Sequence, residues 1–183
     1  MTFGHCRRAS TLRSAFVLGL CGLLLAGCSG ADDDRDAAAL KDKYVTVNLG
    51  VRGPVDLPAD GVGNLQTFSP QQIYAGKKLF ESNCQNCHVG GTTTPNPKVS
   101  LALAKLQGAT PPRDNIQSLV QYMRLPMSYD GSEETFNCRK SDWIEDDEAQ
   151  NLAAFILRAS QKARGWGTAR LEANQDSMTT APP

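Results

Sequence analysis

The chain has 183 residues, 40% of them hydrophobic, with 19 Lys and Arg against 19 Asp and Glu; this suits one ordinary soluble domain with targeting and tail segments, and leaves no room for a second full domain. Three of the cations, Arg7, Arg8 and Arg13, precede the first acid, Asp32, so from Cys28 onward sixteen basic side chains face nineteen acidic ones. A mildly acidic chain offers no basic face for phosphates, which argues against a nucleic-acid binder and leaves a protein partner open.

Residues 1–27 read as an export leader, with a positive end followed by an apolar stretch from Ala15 to Ala26. That stretch is shorter than the about twenty residues a bilayer span requires. It ends in Leu25-Ala26-Gly27-Cys28, similar to a bacterial lipobox, which makes Cys28 the candidate lipid-bearing residue and membrane anchor. Residues 28–43 are rich in Ala and Asp with few large apolar side chains, and predict a flexible tether. From Tyr44 the pattern changes to Tyr-Val-Thr-Val-Asn-Leu, then Gly53-Pro54 and Val55-Asp-Leu57, which predicts short strands in an N-terminal extension over 44–68.

A domain over 69–167 follows. Ser69 as N-cap and Pro70 at the first helical position predict a helix through Ile73, Gly76, Leu79 and Phe80 that runs directly into Cys84. After a Gly-, Thr- and Pro-rich loop from Gly90 to Pro97, Val99 to Leu106 predicts a short helix stopped by Thr110-Pro111-Pro112. A third helix starts near Asp114, carries Ile116, Leu119, Val120 and Met123 at helical spacing, and stops before Pro126. The last runs from about Asp146 to Ala163, with acids in its first turn, bases in its last, and Leu152, Phe155, Ile156 and Ala159 on one face. Residues 168–183 read as a disordered tail.

Cys84-Gln85-Asn86-Cys87-His88 matches the C-x-x-C-H pattern of covalent haem attachment. Two thiols one turn apart can add to the two vinyl groups of one haem, and the adjacent imidazole then lies under the iron. Cys84 and Cys87 are therefore the candidate attachment residues and His88 the candidate proximal ligand of one haem c. A thioredoxin-like redox pair would need a βαβ context, and a zinc site a second Cys/His pair; neither is present. The other histidine, His5, lies in the leader, so the distal position falls to Met123, Met127, Met178, Cys138 or an open site. The cysteine count bears on this choice. Cys6 and Cys21 leave with the leader, Cys28 takes the lipid, and Cys84 and Cys87 share one motif, so Cys138 is left over. An unpaired thiol outside the cytoplasm needs an occupant for its sulfur.

From Phe68 to Gly167 the chain resembles the low-potential cytochrome c-550 family, PsbV, the extrinsic cytochrome of cyanobacterial photosystem II. The resemblance rests on Gly76-Lys77-Lys78-Leu79-Phe80, on Cys84 to Gly91 with its Gly-Gly pair, on Ala109-Thr110-Pro111-Pro112-Arg113-Asp114, on Tyr129-Asp130-Gly131 and on Trp166-Gly167. It implies an all-α, class I cytochrome c-like fold, here with the short N-terminal β extension, whose first and last helices cross with Gly76 and Phe80 against Leu152 to Ile156. It also implies a single bis-histidine haem on the lumenal side of the thylakoid membrane. The family's distal histidine follows the Tyr-Asp-Gly stretch, and the matching segment here, Ser132 to Arg139, holds Cys138 and no histidine. The chain thus looks like the paralogue type with cysteine at that place, with Cys138 as candidate distal ligand and Met127 as its alternative.

A thiolate ligand favours ferric iron, so the expected protein is a low-potential monohaem carrier, not an enzyme, at a photosynthetic membrane, on the thylakoid lumenal or periplasmic face. Its partners would be photosystem II lumenal subunits or another redox protein. Two other functions fit the same residues: a structural extrinsic subunit of photosystem II that stabilises the oxygen-evolving centre, and a haem enzyme or sensor with a releasable Cys138.

Overall fold

The computed structural model describes residues 37–96, 99–135 and 142–168. The export leader, Cys28, Cys138, Met178 and the tail from 169 onward lie outside the described residues. Among the described residues, no helix is long and apolar enough to cross a membrane.

Residues 37–43, the described part of the tether expected over 28–43, are packed on the domain. Residues 37–41 are helical and Ala39 is fully buried. The Asp42 carboxylate accepts from the Val45 N–H at 2.9 Å and pairs with Lys77 at 2.9 Å. Tyr44–Asn48 is a π-helical turn, not the strand its β-branched residues suggest. A strand would place Val45, Val47 and Leu49 on one face. Instead Val45 and Leu49 are buried while Val47 is 66% exposed. Burying an aliphatic side chain yields about 1.5–3 kcal/mol, whereas β-propensity spans only about 1 kcal/mol, so packing decides the conformation. Arg158 closes the turn by donating from Nε to the Leu49 carbonyl at 2.8 Å.

The strands lie further along. β1 (Val55–Pro58) and β2 (Leu65–Phe68) form an antiparallel hairpin in which Val55 faces Phe68 and Pro58 faces Leu65. Leu57 and Phe68 point into the core. Asp60 organises the turn, accepting from the Val62 and Asn64 backbone N–H groups at 3.0 and 3.1 Å.

Helix α1 (Pro70–Asn83) begins with a capping box: Gln72 N–H donates to Ser69 Oγ at 3.3 Å, and Ser69 N–H donates to Gln72 Oε1 at 2.9 Å. The short α2 (Leu103–Gln107) starts later than its apolar pattern suggests, at the extended residue Ala102. Helix α3 (Ile116–Arg124) is capped by the Asn115 side chain, which accepts from Ser118 N–H at 2.9 Å. Helix α4 (Asp146–Lys162) has three acids in its first turn and Lys162 in its last, complementing the helix dipole.

Leu152 to Leu157 are buried without interruption, because α1, α3, β1 and short α2 pack around α4. The α1–α4 crossing is close because of Gly76, where a Cβ would fall on the Asn151 carbonyl and within 2.9 Å of Phe155 Cβ. One turn on, the Phe80 and Phe155 rings meet at 5.4 Å, and Trp166, beyond the end of α4, completes the cluster at 5.3 Å from Phe80 and edge-on to Phe155 at 5.8 Å.

Candidate haem-binding site

Helix α1 delivers the C-x-x-C-H segment to one end of this crossing. Cys84 caps the helix, its N–H donating to the Phe80 carbonyl at 2.9 Å, and its own carbonyl then accepts from Cys87 N–H at 3.1 Å and His88 N–H at 2.9 Å. The chain therefore keeps turning through the motif, with Cys84 half-buried against the core and Cys87 exposed.

The loop after His88 is clamped from a distance. Gly90 and Gly91 have φ of 58° and 84°, in the left-handed region that favours glycine. At Gly91 a Cβ would lie 2.6 Å from the Trp166 ring. Leu101 N–H donates to the Gly91 carbonyl at 2.7 Å, Trp166 Nε1–H to the Leu101 carbonyl at 3.0 Å, and Gly167 N–H to the Gly90 carbonyl at 2.8 Å. The Gly-Gly and Trp-Gly pairs are thus two halves of one contact that presents His88.

His88 is partly buried, which pushes its pKa below the ordinary histidine value, partly offset by the Thr92 carbonyl. Neutral imidazole is the form that binds a metal. Its Nδ1 lies 3.2 Å from the Thr92 carbonyl and 3.2 Å from Thr93 Oγ1. The Thr93 hydroxyl donates to the Val99 carbonyl at 2.9 Å, so towards His88 it presents a lone pair. Two acceptors at Nδ1 assign the proton there and leave the Nε2 lone pair for a ligand role. The residues present fit a covalently held haem: two cysteines one turn apart, an imidazole in the metal-binding tautomer, and Leu101, Leu103 and Met123 as half-buried apolar side chains packed on the core.

Further along the chain, Arg113 reaches into the 126–135 segment. Its Nη2 donates to the carbonyls of Met127 at 3.0 Å and Ser128 at 2.6 Å, and its guanidinium stacks 4.0 Å from the Tyr122 ring centre. Thr110 N–H donates to the Tyr129 carbonyl at 2.8 Å, and Gly131, at φ 74°, packs on the Thr110 backbone. Met127 pairs with Glu134 in a bridge, and Ser128 and Ser132 hold the Asp130 carboxylate at a pKa of about 2. Cys138 follows this braced segment in the sequence and lies outside the described residues. Met123 sits on α3 against the core and Met127 is half-buried in the braced segment. Thr93 and Arg113 carried no signal in the sequence for the roles they have here, since both act on atoms placed by the fold.

The cytochrome c-550 domain profile matches residues 46–173. A cytochrome c-550-like protein of Thermosynechococcus vestitus is 52% identical over 153 residues, covering 81% of this chain and 87% of that protein. A photosystem II extrinsic protein V of Synechococcus sp. is 38% identical over 133 residues, covering 66% of this chain and 74% of that protein. Among solved structures, the PsbV2 cytochrome of Thermosynechococcus elongatus superposes with a TM-score of 0.67 at 53% identity, over 69% of this chain and 98% of that one. Cytochrome c549 superposes with a TM-score of 0.57 at 32% identity, over 62% of this chain and 95% of that one. An all-α, class I cytochrome c-like fold with a short β extension, a pentapeptide built for haem attachment and a profile match over most of the chain agree: the chain belongs to the cytochrome c-550 family and is a monohaem c-type cytochrome.

Proposed function

We propose that this protein is a low-potential electron carrier whose haem is linked through Cys84 and Cys87 and held by His88 Nε2 on one side and the Cys138 sulfur on the other. The observation that carries the proximal half is the pair of acceptors at His88 Nδ1, which keeps Nε2 unprotonated. The distal half is supported by the cysteine count and by the place of Cys138 after the Tyr129-Asp130-Gly131 stretch, where the family carries its distal histidine. Bound haem supplies a one-electron ferric/ferrous couple. A thiolate opposite His88 adds negative charge that favours the ferric form; a preference of about 4 kcal/mol corresponds to a lowering of roughly 170 mV. Lipid on Cys28 would hold the domain at a membrane, on the thylakoid lumenal or periplasmic face.

Low-temperature electron paramagnetic resonance of the ferric protein tests the distal ligand, because thiolate-bound and methionine-bound low-spin haems differ in signature. Cys138→Ala and Cys138→His should each raise the potential and change the spectrum, while Met127→Leu leaves both as they are. The opposite pattern assigns the position to Met127. Detergent-phase partitioning that is lost in Cys28→Ser tests the anchor.

A second reading is favoured by the relatives named photosystem II extrinsic protein V: a subunit that caps photosystem II, with electron transfer secondary. Stoichiometric retention on purified photosystem II would establish that reading, and its absence there, with a reversible low-potential couple, would support the carrier.

A further inference from the structure

Thr93 is placed to set how electron-rich the His88 ring is. Its Oγ1 lies 3.2 Å from His88 Nδ1, and its single hydroxyl proton is committed to the Val99 carbonyl at 2.9 Å. Towards the imidazole it therefore acts as an acceptor, beside the Thr92 carbonyl at 3.2 Å. A backbone carbonyl is supplied whatever residue stands at 92, but the second acceptor exists only if residue 93 carries an oxygen. We propose that Thr93 is a positioning and tuning residue for the proximal ligand, lowering the reduction potential through its hydrogen bond with His88 Nδ1–H. The inference rests on the reading of His88 as an iron ligand.

The direction follows from charge. Ferric iron draws electron density from the imidazole and makes Nδ1–H a better donor, so an acceptor there stabilises the ferric protein more than the ferrous one. Losing one of two acceptors removes only the part of that hydrogen bond by which it favours the ferric over the ferrous state. The ferric to ferrous ratio at a fixed applied potential should then fall about twofold to threefold, roughly 20 to 30 mV upward at about 59 mV per tenfold.

The neighbouring threonine provides the control. Thr92 Oγ1 donates to the Val89 carbonyl at 2.7 Å, a bond of the same kind in the same loop that leaves His88 untouched. Potentiometric titration of the haem-loaded protein should show Thr93→Val raised by this amount, with Thr93→Ser and Thr92→Val at the wild-type value. Equal shifts in Thr93→Val and Thr92→Val would mean that the loop was merely loosened, and no shift in Thr93→Val would also overturn the proposal. A measurement on the wild type needs no variant. His88 is the only histidine among the described residues, so in protein grown on isotope-labelled histidine the iron-shifted ring resonance belongs to it. In the ferrous state its Nδ1–H proton should show a nuclear Overhauser contact to the Thr93 Hβ, and absence of that contact counts against the proposal. Absence of any iron-shifted histidine would instead sink the ligation on which it rests, which keeps the two failures apart.

Discussion

Gly90 and Gly91 stand side by side after His88, both with positive φ, yet their surroundings differ. A Cβ on Gly90 would meet nothing within 4 Å, whereas on Gly91 it would press on the Trp166 ring. Gly90→Ala should therefore cost only the left-handed backbone penalty, about 1 kcal/mol, and Gly91→Ala that penalty plus overpacking, about 3 kcal/mol in total. Denaturant unfolding of the haem-loaded variants measures the difference, and equal losses would show that Trp166 yields easily. The glycine pair is visible in the sequence as a turn signal. Which of the two is indispensable is not, because the obstructing ring arrives from beyond α4. The same holds for His88: the imidazole is legible from five contiguous residues, but its tautomer depends on Thr92, Thr93 and Val99 meeting around it.

Helices α1 and α4 cross at Gly76, and here two effects oppose each other. Gly76→Ala improves intrinsic helix propensity by about 1 kcal/mol, while the added carbon would fall on the Asn151 carbonyl and force the axes apart at a cost of about 1–3 kcal/mol. A net loss of up to about 2 kcal/mol is expected in thermal melts, and a stabilised variant would mean the crossing is more pliable than its geometry. Arg113 is the corresponding tie for α3 and the 126–135 segment. Arg113→Lys keeps the charge but gives up the planar stack on Tyr122 and the paired donation to Met127 and Ser128. Loss of about 1–2 kcal/mol is expected, with faster hydrogen exchange at the Thr110 and Thr135 amides as the specific sign. Uniform acceleration across the molecule would argue that the residue supports the whole core instead. The helix start at Ser69 was legible because caps are local, and the start expected near Asp114 falls one residue on, at the Asn115 cap. The π-helical turn at Tyr44–Asn48 was not, because its β-branched residues obey a core that forms elsewhere.

At the scale of the molecule, the ordered N-terminal segment is fastened to α1 through Lys77, which lies 2.9 Å from Asp42 and 2.7 Å from Glu81. Burial raises the Asp42 carboxyl, but the Val45 N–H and the Lys77 ammonium outweigh it and hold the pKa below the ordinary value. Glu81 behaves likewise, with burial offset by Lys77 and Lys78, and burial of Lys77 is outweighed by Glu81 and Asp42, which raise it. The carboxylates, with depressed folded-state values, contribute stability that is present above about pH 4 and is lost as pH falls through those values. Lys77, raised, contributes fully below about pH 10 and loses its share only above that. Wild type should accordingly lose more stability than Lys77→Met between about pH 5 and about pH 2, which brackets the ordinary carboxylate values; parallel curves would show the pairs to be too solvated to matter. The sequence alone determined the attachment pentapeptide, the helical periodicities and the family pattern, because each is carried by residues near one another in the chain. Only the tertiary structure decided that residues 37–49 dock on α1 and α4, that Trp166 clamps the loop after His88, and that Arg113 braces the segment leading to residue 138. Those contacts join partners distant in sequence, and their free energy comes from burial and geometry that local residue order does not encode.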